Sequence, residues 1–350
     1  MSTFGAYTDY GVLRAAIVGS AEGLSLPPFN PSLHHYNDEV QAALKAGGDQ
    51  PLDIRTAMPE RWEKTVEQLD SLAALYIKHG VTVYRPRPYT EEERSYLAEL
   101  QPGASLLYPA DPVFTVGKTY LEVNLRRAYR RKEVFPLREI VAPLLAADPE
   151  TRHIVMPPAL PFSPSHDGPG PYLEGGDIVC YKHHLFVGES EIATNRAGTE
   201  WLRNTVAPLG YEVHPMPMKG TILHLLGIMV LIREGLLLLH REELLCELPE
   251  PLKEWDVIEL SEAEATAFAT VGVSLDAQRY IIPSGLGRVC DELAKRGVEP
   301  IEIEYDHVSY WGGCVSCSTH ALSRDPVQTW QTTLPPGRLT PTFPKKSSMR

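Results

Sequence analysis

Near its C-terminus the chain reads Tyr310-Trp311-Gly312-Gly313-Cys314-Val315-Ser316-Cys317-Ser318-Thr319-His320, a thiol-bearing stretch entered through two glycines. Adjacent glycines let a backbone bend or approach another group closely. A thiolate is the strongest nucleophile that ordinary side chains offer near neutral pH, so Cys317 is a candidate nucleophile. A buried core cysteine is the competing reading of the stretch taken alone. Cys314 and Cys317 form a C-x-x-C pair, yet no second pair exists and His320 does not complete a zinc site, so no metal is expected. His224, in Thr221-Ile-Leu-His-Leu-Leu-Gly227, is an imidazole among apolar residues that could move protons to and from a substrate. Glu174, in Glu-Gly-Gly-Asp177, could orient and charge-stabilise that imidazole as the third member of a triad. Asp177 is suited to capping the turn. Asp111, after Tyr108-Pro-Ala, is either a turn residue or a carboxylate for a cationic substrate. The pairs His34-His35 and His183-His184 read as loop or turn residues.

Groups so far apart in sequence need repeated elements to bring them together. Val12–Val18 reads as a strand ending at Gly19, and residues 20–58 show no regular pattern, as expected of a long loop or lid. Pro59 then opens a helix that Gly80 closes, and Val81–Tyr84 follows as a strand. This helix–glycine–strand unit recurs at 200–214 around Gly210 and at 286–303 around Gly297. Looser copies run over 137–156 and 242–260. Between them lie apolar runs that predict hairpins: 113–123 turning at Gly117-Lys118, 178–187 turning at Lys182-His183, and 228–239 turning at Arg233-Glu234-Gly235. About five hairpin–helix–strand modules result, the first and last completed by opposite ends of the chain. Such a repeat suggests modules around an axis. A doubly wound parallel sheet is the alternative, but it leaves the hairpins unexplained. Asp111, Glu174 and His224 each lie just before a hairpin and Cys317 lies on the last apolar segment, so equivalent module ends would converge on one place.

Composition narrows the function. The 350 residues, 43% of them apolar, suffice for a sizeable core, and a net charge of −12 argues against a nucleic-acid partner. Five scattered cysteines argue against a disulfide framework and for a reducing, cytoplasmic setting. The N-terminus lacks the basic start and apolar run of a signal peptide, and no segment reaches about 18 uninterrupted apolar residues. Residues 1–325 read as a single catalytic domain. Residues 326–350, rich in Pro, Thr and Lys, read as a tail outside it. The sequence specifies no oligomeric state, and a homo-oligomer is compatible with it.

These residues, taken together, resemble the amidinotransferases, which move an amidino group from arginine to an amine, within the superfamily that also holds arginine deiminases and dimethylarginine hydrolases. The resemblance runs over roughly residues 10 to 325. Tyr108-Pro-Ala-Asp111, with Glu122 further on, is similar to the first substrate-carboxylate segment. Glu174-Gly-Gly-Asp177 is similar to the acidic turn whose first acid partners the catalytic histidine. Thr194-Asn195 and Gly198–Arg203 resemble the following helix, and Gly312–Cys317 resembles the glycine-rich approach to the cysteine. The resemblance implies an α/β fold, a five-bladed pseudo-symmetric propeller of the repeated modules. It implies Cys317, His224 and Glu174 as catalytic residues, with Asp111, Asp177 and Glu122 as substrate-binding groups. It further implies a small-molecule donor, an amine acceptor, a covalent Cys317 adduct, and no cofactor or membrane partner. Two positions depart from the family pattern: Cys314 replaces a glycine, and Leu226 stands where an aspartate grips the guanidinium group. The second departure implies a donor less cationic at its reacting end, or acyl transfer or amide or guanidine hydrolysis on the same fold.

The two neighbouring cysteines can be told apart directly. Cys317→Ala should abolish turnover and adduct formation, whereas Cys314→Ala should keep measurable activity. Preferential iodoacetamide labelling of Cys314, with loss of activity, would reverse the roles.

Overall fold

The structure, a computed structural model, describes residues 4–29, 36–159 and 168–326. Five three-stranded sheets share one pattern, an antiparallel pair whose second strand is joined by a third, parallel strand. In chain order the complete copies are Val113–Val116, Thr119–Glu122 and Arg152–Val155; Ile178–Tyr181, His184–Glu189 and Glu212–Pro217; Met229–Arg233, Leu236–Leu239 and Asp256–Glu259; and Val273–Asp276, Arg279–Pro283 and Glu299–Ile303. The remaining copy joins the chain ends, because Leu13–Val18 pairs antiparallel with Thr319–Arg324 and parallel with Thr82–Tyr84. The module count and its completion by opposite ends of the chain are as the sequence suggested.

Within most modules a helix carries the chain back so that the third strand can lie parallel. These helices are Pro59–Lys78, Val134–Ala146, Arg196–Val206 and Gly287–Lys295. Gly80, Gly210 and Gly297, just beyond three of these crossovers, have φ of +79°, +86° and +74°, a left-handed conformation that glycine adopts without a Cβ penalty. The expected helix over 242–255 is instead two short 3₁₀ turns, Arg241–Glu243 and Glu250–Leu252. Pro249 and Pro251 each remove a backbone donor there and prevent a longer helix.

Residues 20–58 also differ from the expected loop. Ser20–Leu26 forms a small antiparallel sheet with Leu52–Asp53 and Ala104–Leu106, and Asp38–Ala46 is a helix capped by the Asn37 side chain on the Val40 N–H. Glycine and serine inside Ser20–Leu26 obscure its period-2 pattern. The His34-His35 pair and the tail beyond Pro326 lie outside the described residues.

Five of the core clusters each join two successive sheets. Ile17 and Leu322 pack with Val113 and Tyr120, Val116 and Leu121 with Leu185 and Val213, and Val179 and Phe186 with Met229 and Leu237. Leu238 then packs with Ile282, and Val273 and Ile281 pack with Val18. Leu236–Leu239 shows why the apolar runs are continuous rather than alternating. Leu237 and Leu239 serve one neighbouring cluster while Leu236 and Leu238 serve the other.

Both faces of that strand should therefore behave as core. Leu237→Ala and Leu238→Ala should each cost about 2–5 kcal/mol in denaturant unfolding. Ile77→Ala, at a side chain 62% exposed, should change stability by no more than about 0.5 kcal/mol. A near-neutral Leu238→Ala would mean that its face is not packed.

Candidate active site

Asp111, Glu174, His224 and Cys317 all precede the first strand of a sheet, and all four line one pocket. Hydrogen bonds lace these entry loops together. The Ser316 N–H donates to the Val271 carbonyl, Ala110 N–H to the Cys317 carbonyl at 3.2 Å, and Gly175 N–H to the Asp111 carbonyl at 2.7 Å. Asp177 continues the lacing. One of its oxygens accepts from the Leu225 N–H at 2.9 Å and the other from the Thr194 N–H at 3.2 Å.

Cys317 sits in a tight turn in which the Ser318 N–H and hydroxyl both donate to the Cys314 carbonyl, at 3.0 and 2.7 Å. Gly313 brings this turn against Tyr108, whose hydroxyl accepts the Gly313 N–H at 3.0 Å and donates to the Val308 carbonyl at 2.8 Å. A Cβ on Gly313 would stand 2.7 Å from the Tyr108 ring, so only glycine fits. Cys317 is partly exposed to the pocket, whereas Cys314 is fully buried, receives the Ser309 hydroxyl at 3.2 Å, and has its thiol pushed up to about 12 by burial. The C-x-x-C pair thus divides into a pocket thiol and a core thiol.

His224 is buried, with Nε2 2.8 Å from a Glu174 oxygen and Nδ1 3.8 Å from Asp111 Oδ1. The second Glu174 oxygen accepts the Arg126 N–H at 2.9 Å. The imidazole lies over the Glu-Gly-Gly-Asp turn, and a Cβ on Gly176 would meet its Nδ1 at 2.5 Å. Burial opposes charge on His224, but Asp111, Asp177 and Glu174 outweigh it and raise the ring to about 9. Burial would raise Glu174, yet the His224 bond, Arg130 and the Arg126 N–H hold it down to about 2. The ground state is therefore an imidazolium–carboxylate pair. Burial, with Asp111 adding to it, pushes the Cys317 thiol up, and Arg130 only partly offsets this.

The sequence reading missed Arg130 and Glu133. The run Arg126-Arg127-Ala-Tyr-Arg130-Arg-Lys-Glu133 looks like a solvated basic patch, yet Arg130, Lys132 and Glu133 are all buried. Arg130 forks onto Glu133 at 2.7 and 2.9 Å and also reaches Asp111 Oδ2 at 2.8 Å. This leaves Asp111 Oδ1 buried with no hydrogen-bond partner. The pocket is narrow, with about 40 Å³ open to the centre of a water-sized group.

Three expected roles are not met. Asp177 lines no part of the pocket, since both its oxygens hold backbone N–H groups; it positions the His224 segment instead. Glu122 is also absent from the pocket, held bidentately by Arg138 at 2.8 and 2.6 Å and by His153 at 2.7 Å. Leu226 gives the substrate pocket no apolar wall. It lines a separate cavity with Thr115, His320 and Arg324, because the 3₁₀ turn Leu225–Gly227 rotates it away from His224.

No family model matches the chain. It is 24% identical to inosamine-phosphate amidinotransferase 1 of Streptomyces griseus, over 95% of this chain and all of that protein. It is 23% identical to the mitochondrial glycine amidinotransferase of Gallus gallus, over 91% of this chain and 82% of that one. Its fold matches that of SxtG, an amidinotransferase of Microseira wollei in saxitoxin biosynthesis, with a TM-score of 0.74 and 19% identity, covering 93% of this chain and 98% of the other.

The His224–Glu174 pair has a testable linkage. The raised His224 pKa contributes stability that is complete below the unfolded value near 6.5 and is lost as pH rises through about 9. The depressed Glu174 pKa contributes stability present above its unfolded value and lost as pH falls toward about 2. NMR titration should place the His224 midpoint near 9, and Glu174→Gln should lower it by at least about one unit. A midpoint that does not move in the variant would show that Glu174 does not hold the imidazolium.

Proposed function

We propose that this chain, an enzyme of the amidinotransferase family by its full-length similarity to two such proteins, moves an amidino group from a guanidinium donor to an amine acceptor through a covalent adduct on Cys317. The observation that carries the reading is the pocket itself, where Cys317, the His224–Glu174 pair and an Asp111 oxygen that accepts no hydrogen bond meet. A buried carboxylate oxygen without a donor favours a ligand that supplies N–H groups and positive charge. A guanidinium group does both. Leu226 faces another cavity and Glu122 is held by Arg138 and His153, so the reading rests on Asp111 as the acid for the guanidinium group, and a donor less cationic at its reacting end is the second reading.

The charges suggest an order of events. His224 is already protonated at neutral pH, so it serves first as an acid. Asp111 helps hold the proton on Cys317, and a cation seated against Asp111 cancels that effect. The thiol then releases its proton to solvent and its sulfur attacks the planar carbon. The carbon–nitrogen bond to the donor's leaving amine breaks as His224 protonates that nitrogen. The amidino group remains on sulfur as a cationic thioether-type adduct beside Asp111. The neutral acceptor amine attacks the same carbon, gives its proton to the now neutral His224, and expels the Cys317 thiolate, which takes its proton back from solvent. Protons and charge balance over the cycle without a cofactor.

The remaining features fit this reading. The five like sheets, each packed on the next, support a five-bladed propeller with the reacting groups at one end of its axis. Residues 1–325 then form the catalytic domain, with 326–350 as a tail. All five cysteines are free, consistent with a cytoplasmic enzyme. Among the described residues no helix is long and apolar enough to cross a membrane.

The test incubates the protein with arginine, with and without glycine as an amine acceptor, and follows both products and intact mass. Acid quenching should trap a mass increase on Cys317, and glycine should speed release of the amidino group. Asp111→Asn should lower kcat/KM by about two to four decades, as removal of one partner of a buried charge pair does. Arginine consumption at the same rate without the amine would make the protein a hydrolase. No adduct with any guanidinium compound would refute the proposal.

A further inference from the structure

The sheet that carries Glu174 at one end gathers imidazoles at the other. Ile178–Tyr181 runs away from Asp177 to the turn at Lys182-His183, and the chain returns along His184–Glu189. On the adjoining parallel strand, His184 is in register with Glu212, and Glu212 and His214 are two residues apart on one face. Read as sequence, His183 and His184 are loop or turn residues and His214 ends a strand, with no metal assigned. We propose that His183, His184, His214 and Glu212 form a binding site for a divalent transition-metal ion of the zinc type, remote from the Cys317 pocket.

The distances carry the inference. His184 Nδ1 lies 3.0 Å from His214 Nε2 and 3.4 Å from Glu212 Oε2, and His214 Nε2 lies 3.9 Å from the same oxygen. Ligands about 2.0–2.1 Å from a tetrahedral ion stand about 3.3 Å from one another. The three donor atoms therefore already form the face of a tetrahedron of nearly the right size. His183 brings a further imidazole to the cluster: donor atoms of His183, His184 and Glu212 lie within 4.8 Å of one another, and the His183 and His184 rings are 3.8 Å apart. Three imidazoles and one carboxylate suit zinc, nickel or copper, whereas calcium and magnesium prefer all-oxygen sites.

Lys182, a cation beside the turn that would oppose an ion, is held by Glu234 at 2.6 Å. The bound ion would tie the hairpin turn to the parallel strand as a structural clasp, because the site lies at the end of the sheet opposite the reacting groups.

Calorimetric titration of the full chain with zinc chloride tests this, after chelator treatment and with thiols blocked by iodoacetamide so that cysteine cannot compete. One saturable site of about micromolar affinity or tighter is expected, indifferent to excess magnesium, together with a rise in Tm of a few degrees. His214→Ala and Glu212→Gln should each weaken binding at least about tenfold. Glu212 has a largely exposed side chain, so its variant remains informative if a histidine variant fails to fold. Absence of saturable binding, or affinity unchanged in both variants, would leave only a hydrogen-bonded imidazole pair and overturn the proposal.

Discussion

Asp177 never touches the pocket, yet the pocket depends on it. Its two oxygens hold the backbone N–H groups of Thr194 and Leu225, from two different loops. Leu225 follows His224 directly, so this bond sets where the imidazole enters the site. Burial raises Asp177 to about 6, even with His224, Thr194 and Leu225 pulling the other way. The carboxylate is held inside the protein because backbone donors replace its lost water. Gly176, one residue earlier, leaves the space into which the ring then fits.

From that constraint the charges of the site follow. With the ring fixed, Nε2 meets Glu174 and Nδ1 faces Asp111, and the surrounding carboxylates keep the ring protonated despite its burial. Arg130 would be a costly buried cation, but Glu133 takes both its Nε and Nη2. The Arg130–Glu133 pair then anchors one oxygen of Asp111 while leaving the other without a donor. Groups from four loops are thus held by neighbours that do no chemistry, at geometries no single loop could maintain. The Tyr108 hydroxyl plays the same part for the Cys317 turn.

The modular fold makes such lacing possible. Each first strand begins at the same end of its sheet, so each preceding loop finds another within hydrogen-bond reach. The far ends of the sheets are free to diverge. One of them carries the histidine cluster at His184 and His214, with no counterpart in the neighbouring turn at Arg233-Glu234-Gly235.

Much of this was legible in the chain. Continuous apolar runs broken by short turns, and helices ending at Gly80, Gly210 and Gly297, mark the modules because strand burial and helix termination are local matters. The groups that line the pocket were legible by position, since Asp111, Glu174 and His224 each precede a predicted hairpin. Other features depend on contacts between distant segments. Arg130 reads as surface until Glu133 and Asp111 close around it, and Asp177, suited to capping by its turn but implied as a substrate-binding acid by the resemblance, holds two backbone donors instead of lining the pocket. Glu122 is turned aside by Arg138 and His153, and Leu226 by a single 3₁₀ turn. Residue type and spacing determined which groups could react and which strands would be buried. Only the tertiary structure decided which carboxylates face the pocket, because that choice rests on hydrogen-bond partners supplied from other modules, and such partners leave no trace in local sequence.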